Sequence, residues 1–337
     1  MYRRLVFIAL ALTLIVVVLG AYVRLSDAGL GCPDWPGCYG QLTPAHAADE
    51  IAAAVAESPE GPVSMHKAWK EMVHRYLAAS LGFIILVIAG LAWRRRADPS
   101  VRATIAVSLV AVVIFQGLLG KWTVTLLLKP AIVTGHLIGG LTTLSLLALL
   151  ALRAAQVSRP TVSASLVRWA RIGLLVVIVQ IILGGWTSTN YAALACTDFP
   201  TCHGSWWPDM DMANAFHVVR ELGMTAQGDM LSLQALTAIH WMHRLGALVV
   251  TGVLLVLALR LALAGQRGMA SAVFAALAVQ VSLGIANVVM SLPLGLAVAH
   301  NAGAAVLLLT LVVVNERLVP ARAWDLAGRR NDENAYA

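Results

Sequence analysis

Eight stretches of about 20 residues, nearly free of charge, recur along this sequence and restrict its fold more than any other feature. A helix of that length crosses the apolar part of a bilayer. Backbone groups in lipid have no water to bond, so helices rather than open strands are expected. The chain is 59% hydrophobic and only 12% charged, which excludes an ordinary soluble domain. The predicted spans are 5–23, 72–92, 103–120, 131–152, 172–190, 236–259, 270–290 and 295–314.

The net charge of +7 is unevenly distributed, and its distribution predicts how the chain crosses the membrane. Of the 24 Lys and Arg residues, 16 fall at the N-terminus and after the second, fourth, sixth and eighth spans. Positive loops mark the cytoplasmic side, so both termini are expected inside the cell. This charge orients the helices and does not require a nucleic-acid partner. The first span lacks a small-x-small cleavage site and is interpreted as a retained helix rather than a signal peptide.

The two halves of the sequence repeat one another. Equivalent residues lie 164 positions apart, and only His74 and His243 lie 169 apart because the second outer loop is longer. The pairs are Gly20 with Gly184, Cys32 with Cys196, Cys38 with Cys202, Gln116–Gly120 with Gln280–Gly284, and His136 with His300. Four spans per copy keep the same orientation, which predicts repeats related by an axis along the membrane normal.

The predicted fold is therefore an all-α polytopic membrane protein with two tandem four-helix bundles related by a pseudo-two-fold axis. Four-helix bundles commonly hold cofactors between facing helices. The predicted organisation is an N-terminal bundle over 1–155, a cytoplasmic linker over 156–171, a C-terminal bundle over 172–316 and a cytoplasmic tail over 317–337.

All four cysteines lie in two outer loops, each with the pattern Cys-x-Asp-aromatic-Pro-x-Cys. An oxidising compartment permits disulfides there, and zinc usually requires a closer spacing. We expect the disulfides Cys32–Cys38 and Cys196–Cys202. Each bond would stiffen a lid over a site below it, or would only brace an exposed loop; a redox role in maturation is a weaker alternative.

Four of the nine histidines lie within apolar spans, where ionisable side chains are uncommon and usually functional. They are His74, His136, His243 and His300. Each half contributes one from its second span and one from its fourth, at similar depth. Two such imidazoles suit opposite faces of a planar macrocycle, and haem iron is held by axial histidines. Zinc would require more ligands, and copper would usually add Cys or Met. A hydrogen-bonded core histidine is the alternative at any single position.

The other five histidines are expected outside the bundle core. His46, His66, His203 and His217 lie in outer loops, where a solvated surface side chain is expected. His240 lies at the start of the sixth span and is expected at the interface rather than at a haem edge.

Glu71 distinguishes the two copies, because it stands three residues before His74 where the second copy has His240 before His243. Residues three apart share a helix face. A carboxylate beside a haem edge accepts a proton or stabilises developing positive charge. The equal alternative is a pair with Lys67 or Arg75 at a helix start.

Arg75 and Arg244 each follow a predicted ligand histidine. Their guanidinium groups would extend outward and pair with haem propionates. The alternative is that both arginines anchor their helices at the membrane interface.

These residues together resemble haem A synthases. The resemblance rests on Leu19–Leu30, the Cys-Pro-Asp-Trp-Pro-x-Cys loop, Glu71–Arg75, Gly135-His136 and His240-x-x-His243-Arg244, and it covers about 5–315. It implies an eight-helix oxidoreductase that oxidises the C8 methyl group of haem O to a formyl group. The product, haem A, serves terminal cytochrome oxidases.

The resemblance also implies site roles. His243 and His300 would carry a permanent b-type haem that relays electrons, and His74 and His136 would hold the substrate, haem O. Glu71 matches the essential glutamate of the family, and the cysteine pairs match members with disulfides in their outer loops. Haem O would enter from the lipid, and its methyl group would be oxidised twice through an alcohol.

The expected location is a bacterial inner membrane, with the haem sites near the periplasmic side, because no transit-like extension precedes the first span. Expected partners are the lipid bilayer, haem O, an unidentified electron donor, haem O synthase, cytochrome oxidase assembly factors and a second copy of the chain. A di-haem b-type electron-transfer protein, such as a quinol or ferric reductase, explains four histidines but not the single carboxylate. A transporter is disfavoured because no span is broken near its centre.

Overall fold

A computed structural model describes residues 1–98 and 101–320 of the chain, and within them it is almost entirely helical. In chain order the α-helices are α1 (Tyr2–Leu25), α2 (Ala48–Glu57), α3 (Met65–Arg94), α4 (Ala103–Thr125), α5 (Pro130–Ala154), α6 (Ala164–Thr189), α7 (Met212–Ala215), α8 (Leu233–Leu263), α9 (Arg267–Val289) and α10 (Leu294–Arg317). All except α2 and α7 are long and apolar enough to cross a membrane, so the eight predicted spans are confirmed.

The remaining regular structure in the described part of the chain is small. Two-residue strands β1 (Thr161–Val162) and β2 (Val319–Pro320) pair in parallel, which brings the segment after α10 against the segment before α6. A 3-10 turn covers Ala192–Leu194. Of the predicted tail over 317–337, the part from 321 onward lies outside the described residues.

Several membrane helices begin earlier than hydropathy predicted, because polar residues cap their first turns. The hydroxyl of Ser64 accepts a hydrogen bond from the Lys67 N–H, so α3 begins at Met65 rather than at 72. Ser232 caps α8 in the same way. A serine cap satisfies one of the N–H groups that a helix start leaves without an intrahelical partner. The added turns of α3 carry Glu71, whereas His240 already lay within the predicted sixth span.

The helices of each half contact one another, and the halves meet through four of them. Helices α1, α3, α4 and α5 form one set of contacts, and α6, α8, α9 and α10 form the other. Between the sets, α1 contacts α10, and α5 contacts both α6 and α10. One buried cluster at this junction contains equivalent residues from both copies: Leu141 with Ala305, Leu144 with Leu308, and Ala148 with Val312. These contacts are what two repeats facing each other would make, while the axis along the membrane normal stays a prediction.

The loop conformations repeat as well as the helices. Tyr39 and His203 both have left-handed φ values, 51° and 53°, and so do the equivalent residues Asp27 and Tyr191. The hydroxyl of Tyr191 donates to the Asp27 carboxylate at 2.9 Å, so this equivalent pair meets directly between the halves. The repeat in the sequence is therefore a repeat in backbone structure.

Candidate functional site

Each histidine from the apolar spans lies against a glycine of a neighbouring helix. The four pairs are His74 on α3 with Gly20 on α1, His136 on α5 with Gly120 on α4, His243 on α8 with Gly184 on α6, and His300 on α10 with Gly284 on α9. A Cβ at Gly184 would lie 2.9 Å from Cε1 of His243. Any side chain at Gly184 would displace the imidazole, so the ring occupies this position only because residue 184 is a glycine.

The donor set in each half is a pair of imidazoles. His74 and His136 lie close enough to act on each other electrostatically, and so do His243 and His300. Among residues 1–98 and 101–320, no group of three or more His, Cys, Asp or Glu side chains is arranged to hold a bare metal ion. Two imidazoles per half match the axial ligands of a haem iron.

Unpartnered ring nitrogens support this fit. The Nδ1 atoms of His74, His136 and His300 are buried and have no hydrogen-bond partner. Buried polar atoms are rarely left unpaired, and each exception needs an explanation. A bound iron would give such a ring a partner that the protein itself does not supply. The residues present therefore fit one haem in each half.

Three glutamines, whose role the sequence analysis missed, contact three of the four histidines. The contacts join Gln116 Nε2 to the carbonyl oxygen of His136 at 2.9 Å, Gln180 Nε2 to Nδ1 of His243 at 3.0 Å, and Gln280 Nε2 to Nε2 of His300 at 3.4 Å. The repeat had marked Gln116 and Gln280 as equivalent, but it carried no information on what they touch.

Glu71 is buried under the loop that precedes α3, with 4% of its surface exposed. One carboxylate oxygen accepts the N–H of Cys32 at 3.0 Å, and the other pairs with Arg75 at 2.5 Å. Arg75 also donates to the backbone carbonyls of Asp34 and Gly37. Of the two predicted alternatives for an ion pair, the structure shows the one with Arg75. The carboxylate thus joins α3 to the disulfide loop.

The second copy has the same arrangement without the carboxylate. His240 is 4% exposed, so it is buried and not at the interface as expected. Its Nδ1 accepts the N–H of Cys196 at 3.2 Å, and its Nε2 lies 3.3 Å from Nε of Arg244. Arg244 donates to the carbonyls of Cys196, Asp198 and Thr201. An imidazole replaces a carboxylate within an otherwise shared frame.

Both predicted disulfides are confirmed, Cys32–Cys38 and Cys196–Cys202. The Asp of each loop motif, which the sequence analysis gave no role, closes the turn beside its disulfide. Asp34 accepts the N–H groups of Tyr39 and Gly40, both at 2.7 Å.

Asp198 closes the equivalent turn of the second loop. It accepts the hydroxyl of Thr201 and the N–H groups of His203 and Gly204. Hydrogen bonds from Thr201 and Gly204 favour the ionised form and hold the pKa of the Asp198 carboxyl well below its usual value. The loops are therefore ordered by local polar contacts as well as by sulfur.

The four histidines predicted at the surface, His46, His66, His203 and His217, are exposed, but His66 lies in the first turn of α3 rather than in an outer loop. His46 bonds the hydroxyl of Thr43 at 2.8 Å, and His203 contacts Thr237 at 3.3 Å. The structure joins neither of them to the histidine pairs.

Comparison with known proteins identifies the family. A family model described as cytochrome oxidase assembly protein matches residues 3–312. The chain is 45% identical over 312 residues to the haem A synthase of Shewanella oneidensis, which covers 91% of this chain and 94% of that protein. It is 29% identical over 325 residues to the haem A synthase of Caulobacter vibrioides, covering 90% and 91%. It is 27% identical over 236 residues to that of Halalkalibacterium halodurans, covering 68% and 72%. On its buried histidine pairs, its paired disulfide loops and this similarity, the chain belongs to the haem A synthase family of cytochrome oxidase assembly proteins.

Proposed function

We propose that this chain oxidises the C8 methyl group of haem O to a formyl group, through an alcohol, and so makes haem A for a terminal cytochrome oxidase. Relatives named haem A synthase match it over nearly its whole length. The observation that carries the proposal is the single difference between two matching frames. Glu71 lies under one disulfide loop where His240 lies under the other. Two haem sites with unlike chemistry are what an enzyme with one substrate haem and one resident haem requires.

The substrate site in this proposal is in the N-terminal bundle, 1–155. His74 and His136 hold the iron of haem O, and Gly20 leaves room for the imidazole of His74. Haem O arrives from the lipid with its farnesyl tail in the membrane. The site lies beside Glu71. This carboxylate is buried, and it stands three residues before His74 on the same helix.

The resident site is in the C-terminal bundle, 172–316, where His243 and His300 hold a b-type haem. When bound, that haem supplies electron relay to the substrate site. The chain sets the position of the ring: Gly184 lets α6 approach His243 closely, as Gly20 does for His74, and the amide of Gln180 lies against the ring of His243. The amide contact favours a cofactor that stays bound.

Charge distinguishes the two arginines proposed to bind propionates. Arg75 is already neutralised by Glu71 at 2.5 Å. Arg244 contacts backbone carbonyls and the ring of His240, which carries no negative charge, and the Asp198 carboxylate attracts it only from the exposed loop. A propionate therefore suits Arg244 better than Arg75, because a guanidinium binds a carboxylate most strongly when no other anion occupies it.

Glu71 is proposed to act on the carbon that becomes electron-poor during the oxidation. Its two contacts, with the Cys32 N–H and with Arg75, are both contacts that a carboxylate anion accepts. A fixed anion in a site shielded from water stabilises nearby positive charge more strongly than it would in solution. The same oxygens take up protons released from the substrate.

The membrane arrangement proposed is both termini in the cytoplasm and the haem sites near the periplasmic side of a bacterial inner membrane. The positive loops support this orientation. Haem O synthase, oxidase assembly factors, an electron donor and a second copy of the chain are the proposed partners.

The function is tested by extracting haems from the native bacterium with and without this gene. Loss of the gene is expected to abolish haem A and to raise haem O, because the methyl group then stays unoxidised. The full-length gene on a plasmid should restore haem A. Unchanged haem A in the deletion strain would overturn the proposal and favour the di-haem electron-transfer protein.

The Cys32–Cys38 disulfide is expected to support Glu71 as well as the loop. Replacing both cysteines with serine should lower the free energy of unfolding by about 2 kcal/mol, because the bond closes a short loop. It should also raise the ratio of haem O to haem A, since the Cys32 N–H that holds Glu71 becomes mobile. The thermal unfolding midpoint and the extracted haems measure the two effects.

The matched control is the pair Cys196→Ser and Cys202→Ser, which opens a loop of the same length. That change should lower stability by a similar amount but affect the haem ratio less, because its loop holds His240 and not Glu71. Equal haem ratios in the two double variants would contradict the prediction.

A further inference from the structure

The four buried histidines share one frame, and His74 departs from it. In every case the residue four positions before the facing glycine lies beside the ring. These residues are Val16 for His74, Gln116 for His136, Gln180 for His243 and Gln280 for His300. Three are glutamines, and the fourth has no polar side chain.

A glycine on the helix that carries the histidine leaves space for each glutamine side chain. This glycine stands three residues after His136, His243 or His300, and it faces the amide oxygen of the glutamine so closely that a Cβ would overlap it. The pairs are Gln116 with Gly139, Gln180 with Gly246, and Gln280 with Gly303. The residue three after His74 is Leu77. At His74, therefore, Val16 stands in place of the glutamine and Leu77 stands in place of the glycine.

This difference changes how firmly each ring is held. Gln180 Nε2 lies 3.0 Å from Nδ1 of His243 and 2.9 Å from its carbonyl oxygen, so one amide bridges the ring and the backbone. The amides of Gln116 and Gln280 likewise contact the carbonyl oxygen of His136 and the ring of His300.

His74 faces only the backbone carbonyl of Val16. Nδ1 of His74 has no partner, but neither has Nδ1 of His136 or His300, so the missing amide is what distinguishes His74. Groups that orient a ligand histidine typically change metal affinity 10–100-fold.

We propose that His74 is the axial ligand that detaches from the iron of the substrate haem, while His136 stays bound. Gln116, Gln180 and Gln280 are positioning residues that hold the other three histidines. The inference rests on the proposed function, which assigns His74 and His136 to haem O. Detachment breaks only the coordinate bond: the electron pair stays on the imidazole nitrogen, and the oxidation state of iron is unchanged.

Detachment of His74 meets two requirements of the substrate site. A substrate haem that is bound and released in each cycle requires an iron ligand that dissociates readily, whereas a permanent haem does not. An iron with two histidines bound also has no vacant coordination position, and release of one histidine opens it. The glutamines stand at both ligands of the resident site and at only one ligand of the substrate site.

Carbon monoxide binding to the reduced, full-length protein tests the proposal, because CO binds such an iron only after a histidine leaves. Haem A in the first site and haem b in the second are distinguished by absorbance, since a formyl group extends the conjugated system. We expect CO to bind haem A and not haem b. Val16→Gln with Leu77→Gly should slow CO binding at haem A at least about 10-fold.

The reciprocal change, Gln180→Val with Gly246→Leu, is the matched variant in the other half. It should speed CO binding at haem b at least about 10-fold. Equal CO rates at the two haems of the unaltered protein would overturn the proposal, and so would unchanged rates in both double variants.

Single substitutions give a second test if a double variant does not fold. His74→Ala should keep the substrate haem in a five-coordinate, high-spin form, visible by electron paramagnetic resonance. His136→Ala should lower the content of that haem at least about 10-fold. Equal loss in both variants, or the reverse pattern, would contradict the assignment.

A failure of the proposed haem O oxidation can be distinguished from a failure of the assignment of His74. If extraction finds no haem O or haem A in any sample, the proposed function fails. CO binding to protein carrying both His243→Ala and His300→Ala then still reports whether His74 releases the iron of the remaining haem.

Discussion

Glu71→Gln is expected to lower haem A formation by about 100-fold or more and to leave haem O in the substrate site. Removing a positioned proton acceptor or a charge-stabilising group typically has an effect of this size. Glutamine preserves the side-chain length and still accepts the Cys32 N–H, so the loop stays in place. Extracted haems from membranes that contain equal amounts of protein measure the change.

His240→Gln is the matched control, because His240 is equally buried and accepts the equivalent Cys196 N–H. It should leave haem A formation within a few-fold of normal. The Glu71→Gln substitution leaves Arg75 without its ion-pair partner, which lowers stability. The thermal unfolding midpoint and the double variant Glu71→Gln/Arg75→Gln separate this loss of stability from an effect on the chemistry. Normal haem A formation in the Glu71→Gln protein would remove this residue from the chemistry.

His243→Ala and His300→Ala are each expected to remove the resident b-type haem from the purified protein. Loss of an axial ligand should exceed the 10–100-fold effect of removing a group that merely orients one. The substrate haem should remain, since His74 and His136 lie in the other half. Pyridine haemochrome spectra and extracted haems measure each type of haem per chain.

His46→Ala serves as the control, because His46 is exposed and its ring forms a hydrogen bond with Thr43 of the same outer loop. Its haem content should match that of the unaltered protein. If the C-terminal variants keep haem b, or lose haem O instead, the assignment of the two sites is wrong.

Hydropathy predicted the eight membrane helices because lipid leaves the backbone no alternative to internal hydrogen bonds. It placed their ends less well: α8 runs Leu233–Leu263 where 236–259 was predicted. Polar first turns capped by serine carry little hydropathy signal, although the cap stabilises them. The two disulfides were also predictable, since each loop contains only two cysteines in a repeated pattern.

The sequence by itself determined the spans, their duplication, the four histidines and the difference between Glu71 and His240, because each is a property of residue type and spacing. Only the tertiary structure decided what these side chains touch. Arg75 and Arg244 reach carbonyls of distant loops, and His240 is buried rather than at the interface. Apolar residues cover most of the surface of each membrane helix, so hydropathy does not mark the face that meets a neighbour. Close approach of glycine to imidazole, and of glutamine to glycine, arises only when separate helices pack, and those contacts distinguish His74 from the other three histidines.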